Sequence, residues 1–171
     1  TLSGANTFSG GMTLAAGMLK LGGANVVGTG NITNNGAALD LNGQTLTNAI
    51  PVITTGGLIT NSSGSAATVS AAIGSSLASQ LGSFTVGAAG NITLNDVYGQ
   101  QFACTLTKSG AGTLNLAGTG VNGYNGNPIQ LAVNAGTVVL GKTGTGTAAD
   151  AVAVNSGATL QMDPARTTSG W

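Results

Sequence analysis

The sequence predicts an all-β, parallel β-solenoid, and three observations carry that reading. Glycine is abundant, at thirty of 171 residues; apolar and polar residues alternate in short runs; and one strand–corner–strand unit recurs along the chain. The unit is apolar-x-apolar, a small turn ending in Gly, then apolar-x-apolar. Met12-Thr13-Leu14, Gly17 and Leu19-Lys20-Leu21 form one copy. Ile129-Gln130-Leu131-Ala132-Val133, Asn134-Ala135-Gly136 and Val138-Val139-Leu140 form a second. Val152-Ala153-Val154, Asn155-Ser156-Gly157 and Leu160-Gln161-Met162 form a third. Looser copies place Gly36 before Leu39-Asp40-Leu41, Gly57 before Ile59, Gly90 before Ile92-Thr93-Leu94 and Gly112 before Leu114-Asn115-Leu116.

The strands follow from side-chain periodicity. Alternation turns Leu19 and Leu21 to one face and Lys20 to the other, and it does the same for Asp40, Thr93, Asn115 and Gln161 between their apolar neighbours. A single coil of such strands cannot cover its own apolar side. Coils therefore stack, each strand pairing with its equivalent one coil away at about 4.8 Å. Local helix propensity competes in the Ala-containing stretches 68–73 and 148–154, but the flanking alternation and Gly punctuation favour strand or loop there.

The corners follow from glycine. Gly17, Gly36, Gly57, Gly90, Gly112, Gly136 and Gly157 are separated by 19, 21, 33, 22, 24 and 21 residues, and glycine suits the strained backbone of a tight corner. These steps predict seven or eight coils in a rod of roughly 35–40 Å. The step of 33 admits two readings: a further degenerate coil around Val69 and Ile73, or a loop through 75–82. One solenoid segment spanning 1–171 is expected, with loop insertions at 68–82, 118–128 and 141–150.

Composition excludes several function classes. Charged residues make up 5% of the chain and cancel to a net charge of zero, against about 25% in an average protein. Such a surface gives no electrostatic footprint for nucleic acid or anionic lipid. Histidine and glutamate are absent, leaving Asp40, Asp96, Asp150 and Asp163 against Lys20, Lys108, Lys142 and Arg166. No catalytic, cofactor-binding or metal-binding residue is assigned on this inventory, and the chain is not expected to be an enzyme. Cys104 in Phe102-Ala103-Cys104-Thr105-Leu106 reads as a small buried side chain. No run of 18 apolar residues is present to cross a membrane as a helix. The chain opens on Thr1 without a basic-then-apolar leader and with no cap on the first repeat, so it is expected to be a piece of a longer secreted chain.

Several motifs look chemical. Gly136-Thr137-Val138-Val139-Leu140-Gly141-Lys142-Thr143 satisfies the phosphate-loop pattern, but its middle residues read as a strand and no long helix follows. Gly118-Thr119-Gly120-Val121-Asn122-Gly123 fits a dinucleotide fingerprint without the strand–helix context that gives it meaning. A polysaccharide-degrading site needs two carboxyl groups facing one cleft, and the four Asp are scattered over different coils. Asn31-Ile32-Thr33, Asn61-Ser62-Ser63 and Asn91-Ile92-Thr93 are glycosylation sequons by pattern, with outward Asn and Thr positions as the plain alternative. Asn122, Tyr124 and Asn125 mark a candidate ligand loop for a glycan or surface protein, against the plainer reading of an aromatic packed back on the coil.

Residues 2–22, Leu2-Ser3-Gly4-Ala5-Asn6-Thr7-Phe8-Ser9-Gly10-Gly11-Met12-Thr13-Leu14-Ala15-Ala16-Gly17-Met18-Leu19-Lys20-Leu21-Gly22, closely resemble the autotransporter passenger-associated β-strand repeat. A second copy begins at Leu106-Thr107-Lys108-Ser109-Gly110-Ala111-Gly112-Thr113-Leu114-Asn115-Leu116-Ala117-Gly118, has a corrupted middle and closes well over 133–141. The resemblance implies a right-handed parallel β-helix in the secreted passenger of a Gram-negative surface protein, exported through a C-terminal barrel. It implies an extracellular stalk, scaffold or fibre segment and carries no catalytic residue. Its expected partners are further coils, or identical subunits stacked end to end.

Overall fold

The computed structural model describes residues 1–74, 82–97, 104–120, 123–124, 127–143, 149 and 151–163, with backbone alone for 123–124 and 127–128. Among the described residues every regular element is a strand. The first turn carries β1 (Met12–Leu14) and β2 (Met18–Lys20). The second carries β3 (Ile32–Asn34), β4 (Ala38–Asp40) and β5 (Thr45–Leu46), and the third β6 (Val52–Ile53), β7 (Leu58–Asn61) and β8 (Ala67–Val69). Then come β9 (Phe84–Ala88) with β10 (Ile92–Asn95), and β11 (Thr105–Ser109) with β12 (Thr113–Ala117). A hairpin of β13 (Gly123–Tyr124) and β14 (Asn127–Pro128) precedes β15 (Gln130–Val133) and β16 (Thr137–Leu140). The last turn holds β17 (Ala151–Val154) and β18 (Thr159–Met162).

These strands form the expected parallel β-solenoid, wound in about six turns. One face has three strands in the order β1-β3-β6, the next has seven in the order β17-β15-β11-β9-β7-β4-β2, and the third has six in the order β18-β16-β12-β10-β8-β5. Every strand on these faces pairs in parallel with its equivalent one turn away, while β13 and β14 pair antiparallel. The stretches with helix propensity resolve as strand at Ala67–Val69 and Ala151–Val154. Cross-turn pairing outweighs the weak local preference of alanine there.

Register builds the core. Leu19, Leu39, Ile59, Val86, Lys108, Val133 and Val154 stand in one inward column of the seven-stranded face. Leu46, Val69, Leu94, Leu116, Leu140 and Met162 form a facing column on the six-stranded face. Interior members such as Leu39, Ile59, Val86 and Leu94 are wholly buried, and each contributes about 1.5–3 kcal/mol by leaving water. Isolated bridges from Ile50 to Ile73 and from Ile73 to Val97 carry the stack on between the faces.

The corner glycines divide between two corners. Gly17, Gly36 and Gly57 lie between the three- and seven-stranded faces, whereas Gly90, Gly112, Gly136 and Gly157 lie between the seven- and six-stranded faces. The step of 33 residues therefore spans one turn and one face. Val69 and Ile73 belong to that ordinary turn, while 75–81 lie outside the described residues. The corner between β7 and β8 in that turn holds Gly64, and the Ser63 carbonyl beside it lies where a Cβ on Gly90 would stand.

Candidate functional site

The charged residues are so few that their placement defines the candidate site. Among the described residues, three lysines and two aspartates close the turns onto one another.

Lys108 faces inward. It stands in register between Val86 and Val133 and is wholly buried. Its Nζ donates to the carbonyls of Ser109 at 2.8 Å and Gly110 at 2.6 Å in its own corner, and of Ala135 at 3.2 Å in the next turn. Three carbonyls thus use the three donors of an ammonium group. Burial pushes the Lys108 pKa below the ordinary lysine value. Alternation from Leu106 carried the signal for this orientation, and the sequence reading assigned Lys108 no role.

Lys142 and Asp96 form a second clasp, at 2.9 Å between Nζ and Oδ1. Asp96 sits just after β10 with a left-handed φ of 48°, and Lys142 follows β16. The two residues are two turns apart, and Gly118 lies in the turn between them with φ of 94°. A Cβ at Gly118 would overlap the Asp96 carboxylate. Oδ1 of Asp96 also accepts the Gly120 N–H at 2.8 Å, while Lys142 Nζ donates to the Gly120 carbonyl. Burial disfavours the ionised Asp96, but the hydrogen bonds from Lys142, Gly120 and Thr119 and the Lys142 charge outweigh it and hold its pKa below the usual carboxylate value.

Asp40 forms the third clasp, and it is buried although it alternates outward from Leu39 and Leu41. Ser62, one turn on, covers it. Its Oδ2 accepts the Ser62 hydroxyl at 2.6 Å, and its Oδ1 accepts the N–H groups of Ser62 and Asn42, each at 3.0 Å. Lys20 from the preceding turn donates to the Ser62 Oγ at 2.8 Å and lies 3.6 Å from Oδ2. Burial again opposes ionisation of Asp40, and the Ser62 and Asn42 hydrogen bonds with the Lys20 charge prevail, lowering its pKa.

These arrangements bind turn to turn. Asp40 and Asp96 lie on different faces and in different turns, and each carboxylate is engaged by its own donors. No group of three or more Asp, Glu, Cys or His is gathered among the described residues. The phosphate-loop pattern falls on strand Thr137–Leu140, and its lysine is buried on Asp96. Cys104 is a buried free thiol whose pKa is raised, burial being the cause. Asn122, Asn125, Asp150 and Arg166 lie outside the described residues, while Tyr124 is placed by backbone alone in β13.

Of the sequence-assigned corner glycines, Gly17, Gly36, Gly136 and Gly157 have left-handed φ of 75°, 85°, 70° and 81°. At two other corners the left-handed residue is instead Gly56 or Gly110. Gly57, Gly90 and Gly112 lie where a Cβ would overlap Ile53, the Ser63 carbonyl and the Gly90 carbonyl respectively.

Residues 1–25 and 106–140 match the family model described as passenger-associated-transport-repeat. With the solenoid fold, this match fits an autotransporter passenger repeat protein. No significant match was found among curated proteins or among solved structures.

Proposed function

We propose that this chain is a structural, extracellular segment of an autotransporter passenger, a stalk or scaffold that extends and displays neighbouring parts at the cell surface. The observation that carries this is the inward column, aliphatic except at Lys108, which runs in register from Leu19 to Val154 across seven strands. Such a stack lengthens by adding turns without changing its cross-section. The charged clasps support the same reading, since they link successive turns and converge on no cleft. The repeat family suggests a non-enzymatic passenger repeat with an extracellular or surface location in Gram-negative bacteria.

The same stacking that joins turn to turn offers a route to end-to-end assembly of separate chains. Val152, Val154 and Met162 continue inward columns yet are 39%, 45% and 37% exposed. A second copy stacked on this turn would cover them and extend the pairing of β17 and β18. Electron microscopy of the isolated chain tests the two forms. Discrete particles of about 3–4 nm support a monomeric stalk segment, long filaments with a layer line near 4.8 Å support self-stacking, and a compact assembly with neither feature contradicts both.

A second reading, an adhesin module at 118–128, draws on the β13–β14 hairpin. Its root at Gly120 is held by Asp96 and Lys142. A glycan array or host-matrix assay gives a saturable signal on this reading, lost when 121–128 are shortened, and no signal otherwise.

A further inference from the structure

We infer that Asn35 is a self-modification site: in the folded chain it converts to aspartate and isoaspartate by attack of the Gly36 backbone nitrogen, while the second Asn-Gly step, Asn42-Gly43, is locked against the same reaction. Asn-Gly steps are prone to this chemistry because glycine has no Cβ to obstruct its own nitrogen. The sequence holds four such steps, and those at Asn122 and Asn125 lie outside the described residues. The other two look alike in sequence, and the structure separates them.

Asn35 and Gly36 form the exposed tip of the corner between β3 and β4. The Asn35 carboxamide and the Gly36 N–H make no hydrogen bond to the described residues. A Cβ built on Gly36 would meet only Thr54 Oγ1 and the Thr55 carbonyl, each at 3.8 Å, so this corner is uncrowded. At Asn42-Gly43 both reacting groups are held. Asn42 Nδ2 donates to the Leu21 carbonyl at 2.8 Å in the turn before, and the Gly43 N–H donates to Asn61 Oδ1 at 2.9 Å in the turn after. Gly43 is also covered, with side-chain atoms of Ser63 and Ser65 at 3.0 Å from where a Cβ would stand. The locking partners come from stacked turns, so the lock exists only in the folded chain. Ring closure between asparagine and glycine is slow beside folding, and an earlier passage through the unfolded state therefore leaves the choice of site to the fold.

The reaction needs water and no other reagent. The Gly36 nitrogen gives its proton to solvent base and bonds to Asn35 Cγ. The bond from Cγ to Nδ2 breaks, and Nδ2 takes up a proton and leaves as ammonia. One water then opens the succinimide ring: attack at Cγ gives aspartate, and attack at the backbone carbonyl carbon gives isoaspartate. Either product adds a carboxylate to a chain whose net charge is zero. Isoaspartate also lengthens the backbone between the Asn35 N–H, bonded to the Leu14 carbonyl at 2.8 Å, and the Ala37 N–H, bonded to Asn34 Oδ1 at 2.8 Å. The corner thereby acquires a slow mark of age, a new charge in a loosened turn.

The test incubates the folded chain in mildly alkaline buffer, and the same chain unfolded in concentrated urea, and follows the Asn35 and Asn42 peptides over time by site-resolved mass spectrometry and an isoaspartate assay. In the folded chain Asn35 is expected to convert, and Asn42 to convert at least about tenfold more slowly, because its hydrogen bonds must open first. In urea the two are expected to convert at comparable rates. Equal rates in the folded chain, faster conversion of Asn42, a folded Asn35 that stays intact while urea converts it, or the same preference for Asn35 in urea would each overturn the inference.

Discussion

Lys142 meets Asp96 at 2.9 Å across an intervening turn of the solenoid, and Gly118 is what lets them meet. The turn between them presents no side chain at that position, and a Cβ there would overlap the carboxylate. Gly118→Ala therefore adds a left-handed alanine and a clash, and it is expected to cost at least about 1–3 kcal/mol. Asp96→Ala leaves the Lys142 ammonium buried without its carboxylate, at about 3 kcal/mol. The two losses are expected to be less than additive in the double variant, because both break one clasp. Denaturant unfolding of the three variants checks this, and full additivity would separate Gly118 from the pair.

Lys108 is the second test of internal charge. Lys108→Met keeps the length of the side chain in an apolar column but leaves the carbonyls of Ser109, Gly110 and Ala135 without their donor. The expected loss is about 1–3 kcal/mol, read as a lower melting temperature. The sign of its pH dependence is set by the lowered pKa. The folded chain releases the proton before the unfolded one does, so the Lys108 contribution to stability rises as pH climbs from the folded pKa to the unfolded one. That alkaline gain is absent in Lys108→Met.

Acid acts on the other two clasps. Asp40 and Asp96 both have folded pKa values below their unfolded ones. Their stabilisation is therefore complete above the unfolded value of about 3.9 and is lost as pH falls through the folded values. Stability attributable to these groups is expected to be flat from about pH 5 to 8 and to fall below about pH 4. An Asp40→Asn, Asp96→Asn double variant is less stable at neutral pH and has a shallower acid limb, measured by urea unfolding across pH.

Two neighbours in one column respond differently to the same change. Val133 is wholly buried and Val154, its neighbour in register, is 45% exposed. Val133→Asp buries an unpaired carboxylate and is expected to abolish folding, at several kcal/mol. Val154→Asp is expected to cost about 0.5 kcal/mol or less in the isolated chain and to suppress end-to-end association, as read by sedimentation. Equal damage from the two would contradict the stacked register.

Much of this architecture was legible in the sequence because it rests on local periodicity. Thr137–Leu140 was readable as a strand from its own residues, which already argued against a phosphate loop. The corner change was not readable, because a glycine marks a tight corner without saying which corner, and Gly64, between β7 and β8, was not counted among the corner glycines. The clasp of Asp96 and Lys142 was hidden for another reason. Its partners are 46 residues apart, and their meeting depends on the absence of a side chain in a third turn. Asp40 alternates outward as expected, yet Ser62 from the next turn covers it, a burial that only the stacked register creates. The β13–β14 hairpin did leave a signal, Asn125-Gly126 between its strands, the dipeptide most favoured in two-residue hairpins.

Disulfide cross-linking of outward positions measures the register most directly. Thr85 and Thr107 are direct partners in adjacent turns, at a strand spacing of about 4.8 Å that a disulfide can bridge. In a Cys104→Ala background, Thr85→Cys with Thr107→Cys is expected to cross-link within one chain under mild oxidation. Thr85→Cys with Ser109→Cys, two residues out of register, is expected to stay reduced. Failure of the first pair, or equal cross-linking of both, would contradict a solenoid in which each turn lies in register on the last.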